Sequence, residues 1–205
     1  MADHYYSKNP GTESAPQTWT ATLRGIPFRF KTDAGVFSKE SVDFGSRLLI
    51  DTFREPEIPG DLLDIGCGYG PVGLTAARLL PDRTVHMVDV NSRALDLARE
   101  NAGANGAGNT VIYESDAGAD VRGSGFAAIL TNPPIRAGKD TVFRIYEDAY
   151  RLLAEGGELW VVIQKKQGAA STEKKLQELF GNATAEEKKK GYFIYRSLKK
   201  RLDKH

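Results

Sequence analysis

Apolar residues recur along this 205-residue chain with two periods, and the switches between them mark its elements. Apolar and polar positions alternate on either side of Gly25-Ile26-Pro27, which predicts a hairpin of strands 19–24 and 27–31. Ser38 is a candidate N-cap for a helix over 39–53, where Val42, Leu49 and Phe53 share a face before Pro56 and Pro59 intervene. From Asp61 onward, short apolar runs alternate with stretches of helical spacing. Strands are predicted at 62–65, 84–89, 110–113, 126–130 and 159–163, and helices at 72–80, 92–102, 140–153 and 172–180. Pro71 stands at the first position of the first of these helices, where its missing N–H costs nothing, and Gly156-Gly157 stops the third.

The run Phe126-Ala127-Ala128-Ile129-Leu130 is apolar throughout, as in a strand covered on both faces. Alternating strands and helices imply right-handed crossovers and a parallel sheet. The last two strand-like stretches, 184–188 and 192–197, are joined only by Lys189-Lys190-Gly191, too short for a crossover helix, so they must pair antiparallel at one edge. The expected fold class is therefore α/β: a Rossmann-like, seven-stranded, mostly parallel sheet with helices on both faces, an antiparallel edge strand near the C-terminus and a short N-terminal hairpin extension. Residues 1–18, polar and rich in Ser, Pro and Thr, read as a flexible arm, and 19–205 as a single domain with its core at 58–198.

Composition narrows the class without changing that picture. With 40% hydrophobic and 27% charged residues and 21 glycines, the chain is globular rather than disordered or fibrous. No apolar stretch approaches the roughly 20 residues of a membrane span, and Met1-Ala2-Asp3-His4-Tyr5-Tyr6 lacks the regions of a signal peptide, so a cytoplasmic address and no membrane partner are expected. Cys67 is the only cysteine, which excludes an internal disulfide and a multi-cysteine metal site; no metal is expected. The net charge of +1 is unevenly spread: residues 188–205 carry eight Lys/Arg against one acid, Asp203, and the rest of the chain sums to −6. This basic end reads either as a solvated tail or as an edge that attracts nucleic-acid phosphates.

The chemistry gathers at Asp64-Ile65-Gly66-Cys67-Gly68-Tyr69-Gly70-Pro71, where an apolar strand feeds three glycines and a helix. The dinucleotide fingerprint would place glycine at position 71, where Pro71 stands. A carboxylate at Asp64 would also repel a pyrophosphate; it suits a ligand with an ammonium or sulfonium group.

This turn resembles the first motif of the class I S-adenosylmethionine-dependent methyltransferases, and three further signals follow at successive strand ends. Asp89, 25 residues after Asp64, resembles the acid that accepts both ribose hydroxyls, and Asp116 the acid that accepts from the adenine amino group. Asn132-Pro133-Pro134-Ile135 resembles the Asn-Pro-Pro-aromatic motif of methyltransferases acting on planar nitrogens. Over residues 30–197 the chain is most similar to the methyltransferase small-domain family, which includes the catalytic half of bacterial ribosomal-RNA guanine-N2 methyltransferases. Gly35-Val36-Phe37-Ser38 and Asp43-Phe44-Gly45-Ser46 match the segment that closes over the cofactor in such proteins; for Phe37, ordinary core packing is an equal reading.

The resemblance implies S-adenosylmethionine as cofactor. Asp64, Gly66, Cys67, Gly68 and Gly70 would hold its amino-acid end, Asp89 and Val90 the ribose, and Asp116 and Ala117 the adenine, with Phe37 and Asn132 beside it. It further implies N-methylation of an exocyclic amine of a base in RNA, at guanine N2 of ribosomal RNA, with the basic C-terminal edge guiding the backbone. Asn132, Pro133, Pro134 and Ile135 form the catalytic set: the Asn132 amide oxygen and the Pro133 carbonyl would each accept one N–H of the target amine, and no dedicated base is required. Ile135 departs from the aromatic of the motif, and Tyr5, Tyr6 and Phe37 are the candidate replacement rings. Arg136 and Lys139 follow immediately, as phosphate contacts or as a solvated loop. Two alternatives stand beside this reading: methylation of a protein side-chain amide or small amine, and a non-catalytic module that binds S-adenosylmethionine or RNA.

Overall fold

The computed structural model describes residues 13–34 and 41–200. Strands β1 (Gln17–Leu23) and β2 (Ile26–Thr32) form the hairpin, with Trp19 opposite Phe30 and Leu23 opposite Ile26. Arg24 and Gly25 both take left-handed backbone angles, φ 51° and 78°, the turn whose twist matches that of the flanking strands. The described part of the predicted arm is tied down. Ser14 Oγ and Ala15 N donate to the Asp33 carboxylate at 2.8 and 2.5 Å, and β1 already begins at Gln17.

The outer edge of β2 is closed by side chains rather than by another strand. Asn101 on helix α3 (Ser92–Ala104) accepts from Lys31 N at 2.7 Å and donates to Lys31 O at 3.0 Å. Asn105, at the C-terminal end of that helix, does the same for Arg29, both bonds 2.8 Å. Two amides one turn apart thus stand in for a neighbouring strand on an edge that would otherwise expose its backbone. The second N–H of Asn101 reaches Tyr69 O at 2.9 Å, which ties the hairpin to the glycine turn. Asn101→Ala should strand these buried backbone groups and lower stability by about 2 kcal/mol, read from the urea midpoint at unchanged m-value.

The main sheet has seven strands in the order β5-β4-β3-β6-β7-β9-β8. Strands β3 (Leu62–Ile65), β4 (Val85–Asp89), β5 (Thr110–Glu114), β6 (Phe126–Thr131) and β7 (Leu153–Gln164) run parallel. Strand β9 (Tyr192–Leu198) pairs antiparallel with both β7 and β8 (Thr184–Lys189). Helices α1 (Phe44–Thr52), α2 (Pro71–Leu79) and α3 cover one face, where Leu62, Leu49, Leu74, Leu95 and Trp160 pack. Helices α4 (Lys139–Leu152) and α5 (Ala169–Phe180) cover the other, with Leu63, Ile129, Ile145 and Leu176. From β3 the chain first builds outward to β4 and β5 and then returns to place β6 on the other side. The order therefore reverses between β3 and β6, and in such sheets ligands bind at the carboxyl ends of the strands flanking that point.

Two expected boundaries are corrected. Helix α1 begins at Phe44 rather than at 39, because Asp43 caps it by accepting from Ser46 N at 2.9 Å; Ser38 lies outside the described residues. Helix α4 ends at Leu152 and β7 starts at once, so Gly156-Gly157 sit inside a strand instead of stopping a helix. There the register with β6 shifts between Phe126 and Ala128, and a Cβ on Gly157 would lie 2.7 Å from Phe126 O. The glycine is required by close backbone approach at a bulge.

Candidate active site

The turn after β3 is folded by its glycines. Gly66, Gly68 and Gly70 all have positive φ (75°, 56° and 106°), and the Gly66 and Cys67 N–H groups both donate to Val88 O at 2.9 Å, pinning the turn to β4. Gly70 caps α2 in a space with no room for a side chain, since a Cβ would meet Leu74 Cδ1 at 2.8 Å. Asp64 is buried and accepts from Gly73 N at 2.8 Å. Burial pushes its carboxyl up to about 7; the Gly73 N–H opposes that and the nearby Asp89 adds to it. Gly73 was missed in the sequence reading. A Cβ there would lie 2.7 Å from Met87 Cγ and 3.0 Å from Asp64 Oδ2, so only glycine lets the carboxylate reach the helix N-terminus. The available signal was a glycine inside an Ala/Leu-rich helical pattern, where it is otherwise unfavourable.

At the end of β4, Asp89 accepts from Gly68 N and Asn91 N, both at 2.9 Å, and from the Val90 N–H. Burial raises its carboxyl above the ordinary value, with those three donors working the other way. The Cys67 thiol is buried and its Sγ lies 3.5 Å from Gly68 O. Burial and the two nearby carboxylates push it far above its usual range, so it is a neutral packing group and no nucleophile.

Asn132 follows β6, and its Nδ2 donates to Asp43 Oδ1 at 3.2 Å and to Ser46 Oγ at 3.0 Å. A carboxylate only accepts, so the Asp43 contact fixes which end of the amide faces α1. Both N–H bonds are used there, and among the described residues Oδ1 has no partner. Asn132 is thus held from behind by the first turn of a helix 86 to 89 residues earlier in the chain.

These pieces meet in one cavity of about 260 Å³. Of the expected residues, Asp64, Gly66, Cys67, Gly68, Asp89, Asn132, Pro133 and Ile135 line it. Gly70, Val90, Asp116, Ala117 and Pro134 do not: Gly70 shapes the turn and Val90 contributes its N–H to Asp89. Asp116 lies beyond β5 with its carboxylate engaged by both terminal nitrogens of Arg144, at 2.9 and 2.7 Å, and buried Ala117 takes φ 52°. Phe37, Tyr5 and Tyr6 lie outside the described residues. The cavity is also lined by Asp43 and Ser46, from the segment expected to close over the cofactor, and it adds Gln167 and Tyr192, which the sequence did not point to.

The basic C-terminal edge is divided by the direction of β9. Tyr192 pairs with Gln164 at the carboxyl end of β7, so the Lys189-Lys190 turn lies at the ligand edge, with Lys190 Nζ 5.2 Å from the Phe44 ring centroid. Arg136 lines the cavity itself, while Lys139 Nζ sits 5.0 Å from the Phe143 ring centroid. At the other end of β9, Arg196 is paired with Glu158 (2.9 Å) and Glu186 (2.6 Å), and Lys199 Nζ donates to Leu153 O at 2.8 Å. Among the described residues no cluster of His, Cys, Asp and Glu is suited to hold a metal, and no helix is long and apolar enough to cross a membrane.

A family profile described as the methyltransferase small domain matches residues 27–196. The chain is similar to YbxB of Bacillus subtilis, with 55% identity over 200 residues covering 97% of this chain and 100% of that one. It is 33% identical over 182 residues to the ribosomal RNA small subunit methyltransferase C of Vibrio cholerae, covering 87% of this chain and 49% of that protein. Among solved structures it resembles the Thermus thermophilus 16S rRNA guanine-N2 methyltransferase in complex with S-adenosylmethionine and guanosine. The TM-score is 0.79 at 25% identity, covering 94% of this chain and 52% of that one. The chain thus spans about half the length of the ribosomal RNA methyltransferases it matches.

Proposed function

We propose that this chain, which belongs to the methyltransferase small-domain family, transfers a methyl group from S-adenosylmethionine to an exocyclic amine of a base in RNA, guanine N2 of ribosomal RNA. The cofactor supplies an electrophilic methyl group on a sulfonium. The residues present fit it: a buried carboxylate whose pKa is raised, as at Asp64, favours a cationic partner, and Asp89 offers acceptor oxygens for hydroxyl groups at the end of the next strand. The glycine turn between them lets a ligand approach the backbone.

Asn132 carries the acceptor side of the proposal. Its amide is anchored by Asp43 and Ser46, which leaves the carbonyl oxygen on the cavity wall as a rigid acceptor. An exocyclic base amine is a poor nucleophile because its lone pair is delocalised into the ring. Asn132 Oδ1 and the Pro133 carbonyl, one accepting each N–H, would hold the nitrogen and turn its lone pair toward the reacting carbon. Fixed φ at Pro133 and Pro134 limits the movement of that carbonyl. The nitrogen becomes acidic once methylated, so its proton can pass to water without a dedicated base.

The reading is tested by labelled methyl transfer into total RNA from a strain lacking the protein, followed by nucleoside analysis. N2-methylguanosine is the expected product; label found only in protein, or in no RNA, would overturn it. The same RNA checks the basic rim. Joint replacement of Lys189 and Lys190 by alanine should weaken binding and flatten the plot of log affinity against log salt by about 1.4 in slope. The corresponding Lys199 and Lys200 double variant should leave the slope unchanged, because those residues follow β9 to the opposite edge of the sheet.

A further inference from the structure

Ile135 leaves the cavity without an aromatic at the position next to Pro134, but a ring enters the same cavity from another element. Tyr192, the first residue of β9, lines it together with Asn132, Pro133 and Ile135. Strand direction brings it there, since β9 runs against β7 and begins at the ligand edge. Glycine makes the room: a Cβ on Gly45 would fall 3.1 Å from Tyr192 Cε1 and 3.3 Å from Cδ1, so the ring lies directly against the first turn of α1. That same Cβ would stand 3.2 Å from Asp43 Oδ1, the atom that holds the Asn132 amide. Ring and amide anchor therefore share one wall. Phe44 backs the ring at a centroid distance of 5.3 Å and a tilt of 52°, and the Tyr192 hydroxyl has no hydrogen bond to any described residue.

Resting on the acceptor reading above, we propose that Tyr192 is the surface against which the target base lies, supplying from β9 the planar face that Ile135 lacks. A base seated on Tyr192 presents its edge toward Asn132 and Pro133, while the adjoining Lys189-Lys190 turn is placed for the flanking phosphates. A small aliphatic amine has no planar face to seat there, and a side-chain amide offers a far smaller one than a purine.

The test compares wild type, Tyr192→Phe and Tyr192→Leu in labelled methyl transfer to total RNA from a strain lacking the protein, with S-adenosylmethionine affinity titrated in parallel. Phe should keep kcat/KM for RNA within about twofold, and Leu should lower it by about 5- to 100-fold, chiefly through KM. Cofactor affinity should be unchanged in both. Should the Leu variant fold poorly, Tyr192→Met fills the same space without a planar face and should show the same KM defect. Equal activity in Leu or Met and wild type would overturn the assignment, and so would a loss of cofactor affinity that tracks the loss of activity, the sign of a prop rather than a platform. A wild-type enzyme that labels no RNA would instead remove the acceptor reading, and the assignment with it.

Discussion

Replacing Asn132 by alanine should cut methyl transfer about 10²- to 10³-fold while leaving S-adenosylmethionine affinity within about twofold. The separation follows from who holds what. Asp64 and Asp89 are anchored by backbone donors of the glycine turn, of α2 and of the loop after β4, and neither is hydrogen-bonded to Asn132. The first turn of α1 also survives the change, because Asp43 keeps its bond from Ser46 N. Asn132→Asp should be nearly as damaging although it keeps an acceptor, since it sets a second carboxylate where Nδ2 now lies, 3.2 Å from Asp43 Oδ1. Adding Asp43→Asn to that variant returns a donor to the pair and retains a capping side chain, and should restore part of the rate. Initial rates with cofactor titrations on the four proteins decide the matter, and a fully active Asn132→Ala enzyme would sink the mechanism.

What could be read from the sequence was whatever depends on local pattern and strand order. Asp64, Asp89 and Asn132 each close or follow an apolar run, and parallel topology alone is enough to bring such ends to one edge. The links that went unassigned depend on contacts no local pattern carries. Asp43 and Ser46 meet Asn132 only after the whole β3 to β6 segment has folded between them. Tyr192 required knowing which of the two C-terminal strands joins β7: the short Lys189-Lys190-Gly191 link dictated antiparallel pairing, but not that β9 would be the inner strand. The same reversal divides a basic segment that looks continuous in sequence: Lys189 and Lys190 lie beside the site, whereas Arg196, paired with Glu158 and Glu186, lies toward the far end of β9. At Asp116 the motif spacing fixed the position of the backbone, whereas Arg144 on α4 fixes the direction of the side chain. Gly156-Gly157 shows the limit from the other side, since glycine serves helix ends and strand bulges alike and only the approach of Phe126 O selects between them.

Cofactor affinity should rise with pH up to about 7 and level off above it, following Asp64. The ordinary carboxyl value of 3.8 is raised to about 7, first by burial and further by Asp89, against the one N–H of Gly73. At pH 5 the free protein therefore holds a neutral Asp64. A cationic ligand group needs it ionised, so binding expels a proton and affinity should drop by up to about tenfold for each pH unit below 7, about 100-fold by pH 5. The stability of the free protein should move the opposite way. Between 3.8 and about 7 the folded state keeps a proton that the unfolded chain has released, so the Asp64 contribution to stability falls as pH rises through that window. Asp89, also raised by burial, acts in the same sense. Saturating cofactor should reverse the trend, because the bound cation replaces the proton. Asp64→Asn removes the titrating group: its affinity should be weak and nearly flat with pH, and its melting temperature without cofactor should lose the Asp64 share of the pH dependence and keep that of Asp89. Calorimetric titration from pH 5 to 8 in two buffers of different ionisation enthalpy counts the expelled protons, about one near pH 6 for wild type and none for Asp64→Asn. A wild-type affinity that does not change with pH would mean that Asp64 faces no cation, and the amino-acid end of the cofactor would have to be assigned elsewhere in the cavity.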